Sequence, residues 1–201
     1  MRKGNKAVLL KSLCVSTKNP TAPDVVLVDA GQLLYHVVWP VAWTAGHLAA
    51  SFGTRLAHYP PDSKNVVLFD RYDQEAPSAK EHERMRRGIA KDVRLMPNTL
   101  LPCRKVILHN ARTLLNNILC GYFLPHNIQL VKKQDCIVTH AEADITLCSY
   151  MLNAVEEGAQ SIHDLSDNTD VFVLLVYWTS RMQVVAKIQM EKWNGDELDI
   201  N

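Results

Sequence analysis

Val25-Val26-Leu27-Val28-Asp29 is a run of four apolar, mostly β-branched residues closed by a carboxylate. Such a run has no polar face to turn toward water, so it predicts a strand covered on both sides, as in a parallel sheet. The pattern returns after the turn residues Lys64 and Asn65, as Val66-Val67-Leu68-Phe69 followed by Asp70. Between the two runs, Leu33 to His58 has room for one or two helices, interrupted at Pro40. Two buried strands joined by helical sequence imply an α/β fold, a mainly parallel central sheet flanked by helices.

The rest of the chain fits that frame. Residues 1–23 end in the cluster Lys18-Asn19-Pro20-Thr21-Ala22-Pro23 and read as a lead-in segment, leaving 24–201 as one domain. Ala79 to Arg94 and Lys105 to Phe123 have helical spacing, and Cys136-Ile137-Val138 reads as a short strand. A stripe at Ile145, Cys148, Met151, Leu152 and Val155 predicts a helix ended by Gly158. Ser161 to Leu165 reads as a strand. Val171 to Trp178 reads two ways: its β-branched content says strand, its place after a strand and an Asp/Thr cap says helix, and helix is the preferred reading. Met182 to Trp193 and Glu197 to Ile200 flank Asn194-Gly195, a strong hairpin signal.

Composition narrows the function classes. The 201 residues are 47% hydrophobic and 21% charged, with a formal net charge of +1, so a nucleic-acid partner must be engaged by a local basic patch. Five cysteines (Cys14, Cys103, Cys120, Cys136, Cys148) form no C-x-x-C pair, which favours reduced thiols in an intracellular protein, nuclear or cytoplasmic. The basic N-terminus lacks a signal-peptide pattern, and the apolar run Val171 to Trp178 is too short to span a bilayer.

Ligands of open α/β sheets sit beyond the carboxyl ends of the strands. Asp29 and Asp70 stand at two such ends, Glu142 and Asp144 follow the third strand, and Asp167 and Asp170 follow the fourth. Carboxylates brought together repel and need a cation, and oxygen donors without His or Cys suit Mg²⁺ or Mn²⁺. Each acid taken singly also fits a turn former or helix N-cap. Glu142 and Asp144 can both face one crevice only if the helix begins between them, because two residues subtend about 200° on a helix. Lys80, Arg84, Arg87 and Lys91 recur at i, i+4, i+7 and i+11, one face of a helix, extended by Arg94. That stripe suits non-specific phosphate contact, or a solvated face with Glu83 and Arg87 paired. The eight histidines show no ligand spacing, and nucleophile motifs and Gly-rich phosphate loops are absent.

Taken in order, Val26-Leu27-Val28-Asp29, Val67-Leu68-Phe69-Asp70, Ala79 through Arg87, Glu142-Ala143-Asp144 and Asp167-Asn168-Thr169-Asp170 resemble the motifs of the PIN-like/flap endonuclease (XPG-type) superfamily. The chain is similar in particular to uncharacterised animal proteins linked to mobile elements, with an I-D-G-G-x-L-L-H…W-P opening, a V-V-F-D-G-Y strand end and a D-D-T-D-L-L-V-L-L segment. The resemblance implies Mg²⁺- or Mn²⁺-dependent cleavage of DNA or RNA. It makes Asp29, Asp70, Glu142, Asp144 and Asp170 catalytic metal ligands, with Asp167 beside them, and gives Lys80 and Arg84 to the substrate phosphate, with Arg87 and Lys91 continuing that face. Two departures stand out: Asn168 replaces a carboxylate and Arg71 replaces a glycine. Relatives continue past the hairpin, so the resemblance also implies a truncated nuclease domain. The alternatives are a catalytically degenerate fold that binds nucleic acid or protein, and an α/β domain whose acids are caps and turns.

Overall fold

Burial on both faces is what makes Val25–Asp29 a strand: every one of its five residues is buried. The computed structural model describes residues 22–39, 42–56, 62–69, 96–110, 129–132, 143–192 and 197–200. Within them the strands are β1 (Val25–Asp29), β2 (Lys64–Phe69), β3 (Gln129–Lys132), β4 (Ser161–Leu165), β5 (Lys187–Glu191) and β6 (Glu197–Asp199). The helices are α1 (Ala30–His36), α2 (Ala45–Leu56), α3 (Arg104–Asn110), α4 (Ala143–Glu156) and α5 (Thr169–Arg181). The described strands form one sheet in the order β3-β2-β1-β4-β5-β6, parallel throughout except for the antiparallel β5–β6 pair.

The alternation of side chains along a strand divides the core into two layers. Val26 and Val28 of β1, Val67 of β2 and Leu165 of β4 pack under Leu33, Leu34, Leu48, Phe52 and Ile107 of α1, α2 and α3. Val25, Leu27, Val66, Leu68 and Ile162 point the other way, against Leu147, Met151, Val171 and Leu175 of α4 and α5. Helices on both faces remove the need for a polar side on β1 and on residues 66–69 of β2, which is why their sequence shows no alternation.

Several expectations meet the structure here. The segment Val171 to Trp178 lies inside α5, with Val171, Phe172, Leu175 and Thr179 turned inward at helical spacing. The hairpin expected around residues 194–195 is present as the antiparallel β5–β6 pair, its turn lying outside the described residues. Its first strand begins at Lys187 rather than Met182, because α5 continues to Arg181 and the chain then turns at Met182 and Gln183. β3 at Gln129–Lys132 lies in a stretch not read as a strand. The strand expected at Cys136–Val138, the helix Ala79–Arg94 and most of Lys105–Phe123 lie outside the described residues. Among the described residues, no helix is long and apolar enough to cross a membrane.

Candidate functional site

The strand order reverses direction between β1 and β4, from β1-β2-β3 on one side to β4-β5-β6 on the other. Crossovers leaving adjacent strands in opposite directions open a crevice at their carboxyl ends, where α/β sheets bind ligands. Asp29 closes β1 at that point. It is buried, and its Oδ1 accepts the amide N–H of Gln32 at 3.0 Å, capping α1. This carboxylate is thus both a strand-end acid and an N-cap.

Across the crevice, β4 runs into Ser166-Asp167-Asn168. Ser166 is fully buried and its Oγ accepts from the Asn168 N–H at 3.0 Å. Asn168 uses both ends of its amide. Its Oδ1 caps α5 by accepting from the Asp170 N–H at 2.9 Å, while its Nδ2 donates to Asp144 Oδ2 at 3.0 Å. The first turn of α5 is thereby tied to the first turn of α4. The latter helix starts at Ala143, with Asp144 in its first turn. Asp170 is exposed in the first turn of α5. Asp167 pairs with His36 Nε2 at 2.9 Å, both partly exposed. Asp70, Glu142, Lys80, Arg84, Arg87 and Lys91 lie outside the described residues.

One acid was not singled out from the sequence. Asp164 lies in the middle of β4, in register with Leu27 of β1 and Met190 of β5. It therefore interrupts an apolar row beneath α4 and α5. Its side chain is 0% exposed, and neither carboxylate oxygen has a hydrogen-bond partner among the described residues. Burial first, then the charges of Asp29 and Asp144, hold its pKa well above the usual carboxylate range. Cys148, one turn along α4 from Asp144, is pushed up to about 12 by burial and then by Asp164 and Asp144. Asp29 and Asp144 thus both bear electrostatically on Asp164, near the reversal of strand order. The available signal was register: in Ser161-Ile162-His163-Asp164-Leu165, Ile162 and Asp164 must face the same side of the sheet.

An ionised carboxyl in such surroundings is costly unless a proton or a cation neutralises it. Oxygen donors of this type suit a hard divalent ion, and Asp164's unpartnered oxygens fit that need. Among the described residues, however, no three His, Cys, Asp or Glu side chains are grouped closely enough to hold a metal ion. No protein-family model, curated protein or solved structure matches this chain.

Proposed function

We propose that this chain carries a divalent-cation-dependent phosphodiesterase site acting on DNA or RNA, on a PIN-like, flap-endonuclease-type scaffold. The observation that carries the reading is buried Asp164, whose oxygens have no hydrogen-bond partner among the described residues, near Asp29 where the strand order reverses. Asp29 and Asp144, together with Asp70, Glu142, Asp167 and Asp170 from the resemblance, would hold Mg²⁺ or Mn²⁺. A bound ion of this kind supplies an activated water and stabilises the leaving oxygen. The chain's own residues hold that site in place. The Gln32 N–H fixes the Asp29 carboxylate, and the Asn168 amide fixes that of Asp144. Lys80, Arg84, Arg87 and Lys91 would contact phosphates without reading bases. Reduced thiols fit a nuclear or cytoplasmic protein, and Cys103 and Cys148 are both free.

A second reading, a binding module without chemistry, is favoured by Asn168. An amide there contributes no charge, and it engages an oxygen of Asp144 that an ion would use. The test is a labelled single-stranded or flap oligonucleotide with Mn²⁺, incubated with wild type and with Asp29→Asn. The amide at position 29 keeps the cap on α1 and removes the charge. Cleavage that depends on Mn²⁺ and is lost in Asp29→Asn is the expected result. Binding without cleavage selects the binding module, and no binding at all leaves the acids as caps and turns.

A further inference from the structure

We infer that this chain forms a two-fold dimer through the outer face of α5, laid antiparallel against the same helix of a second copy. The inference is independent of the cation reading given under Proposed function.

A helix that covers a sheet needs one apolar face, and its outer face is ordinarily polar. α5 departs from that pattern, since every residue from Val171 to Trp178 is apolar or aromatic. Val171, Phe172, Leu175 and Thr179 turn inward. Val173 and Tyr177, one turn apart on the opposite side, are 50% and 53% exposed, with Val176 beside them at 39%. Of the nine exposed large apolar side chains among the described residues, five lie between Val173 and Val185. Single exposed apolar residues need no explanation, but so concentrated a face marks an interaction site.

The placement of charge says what covers it. Asp170 in the first turn, Leu174, Tyr177 and Arg181 in the last turn stand at i, i+4, i+7 and i+11, one line along the helix. Asp170 and Arg181 are both exposed. A two-fold axis passing between Leu175 and Val176 sets Asp170 opposite the partner's Arg181 and Leu174 opposite the partner's Tyr177, each pair occurring twice. A two-fold interface requires a patch complementary to itself in this way. A partner of one charge sign, such as nucleic acid or an anionic bilayer, would be attracted at Arg181 and repelled at Asp170. Tyr177 supplies the aromatic anchor on which such interfaces centre. The antiparallel order also sets opposite ends of the two helix dipoles side by side.

The experiment is sedimentation velocity over a concentration series, with EDTA present so that no ion bridges the acids. The samples are the whole chain as wild type, Tyr177→Glu, Asp170→Arg, Arg181→Asp and the double charge exchange, with circular dichroism to confirm folding. Wild type should pass from monomer to dimer as concentration rises. Tyr177→Glu should raise the dimer Kd at least ~30-fold, the loss of a central interface anchor. Each single charge change brings like charges together and should weaken the dimer, while Asp170→Arg combined with Arg181→Asp should restore it. A wild type that is monomeric at every concentration would overturn the inference. So would a dimer that Tyr177→Glu leaves intact, which places the contact on another face. A double exchange as weak as the single changes would overturn the antiparallel order. If a monomeric wild type sediments with anionic vesicles and Tyr177→Glu does not, the face belongs to a bilayer instead. Should Tyr177→Glu not fold, the charge exchange decides alone.

Discussion

Asn168 holds two helix starts together with one side chain, capping α5 through its oxygen and reaching Asp144 through its nitrogen. Asp at this position would cap equally well, but would turn the second contact into a meeting of two carboxylates. Asn168→Asp should therefore lower stability by about 1–2 kcal/mol in cation-free buffer. It should also tighten Mn²⁺ binding, and both effects are read by urea melts and calorimetry on the same samples. Equal Mn²⁺ affinities would mean that position 168 touches no ion. Asp164 gives a pH prediction whose sign follows from linkage. Its pKa is raised in the folded state, so the unfolded chain gives up this proton first as pH rises past about 3.9. The stability contribution is full below that value and is lost as pH climbs toward the folded-state pKa. In cation-free urea melts, Asp164→Asn should therefore gain on wild type from pH 3.5 to pH 8. A gap that does not change with pH would show that Asp164 titrates alike in both states.

Both long helices of the second core layer end in the same way. After α4, Gly158 takes φ +98°, with Gly158 N–H to Val155 O and Ala159 N–H to Ala154 O closing a Schellman motif. After α5, the same pair of bonds runs from Gln183 to Ser180 and from Val184 to Thr179, but the left-handed position, φ 51°, is held by a glutamine. Gln183→Gly should raise stability by about 1 kcal/mol, seen as a higher urea midpoint with unchanged slope. The first ending was legible in the sequence because glycine announces it; the second was not, because Gln183 carries no such signal. The same contrast runs through the fold. β1 and residues 66–69 of β2 were readable since strands covered on both faces are continuously apolar. Spacing and the cap decided α5 against the pull of its valines. β3 offers only two apolar residues in four, and so left no pattern to read. Asp29 and Asp144 could be picked out because strand ends and helix starts are visible in a sequence. Asp164 was hidden because only strand register shows which side of the sheet a mid-strand acid faces.

For the molecule as a whole, a net charge of +1 supplies almost no long-range attraction for a polyanion. Nucleic-acid affinity, if the proposed function holds, must therefore come from the stripe at Lys80, Arg84, Arg87 and Lys91. Replacing Lys80, Arg84 and Arg87 by Gln should weaken binding to all sequences alike. It should also reduce the slope of log K against log salt by up to about 2–3, since each lost phosphate contact releases ~0.7–0.9 fewer counterions. A fluorescence-anisotropy titration at several salt concentrations measures this. An unchanged slope would assign the stripe to solvent.

The pairing of β1 with β4 has one more consequence, and it concerns time. These strands are held at their lower ends by Asp24, whose Oδ2 accepts from the Gln160 and Ser161 N–H groups at 2.8 and 2.9 Å, across 137 residues of sequence in the second case. Closing so long a loop is slow, and a chain made from its N-terminus cannot attempt it until β4 exists. At ~5–20 residues per second, β1 waits on the order of ten seconds for its neighbour. Until then β1 lacks the strand that carries the buried Asp164. The reversal of strand order beside Asp29 is thus a late product of synthesis, formed only once the chain beyond residue 161 has been made.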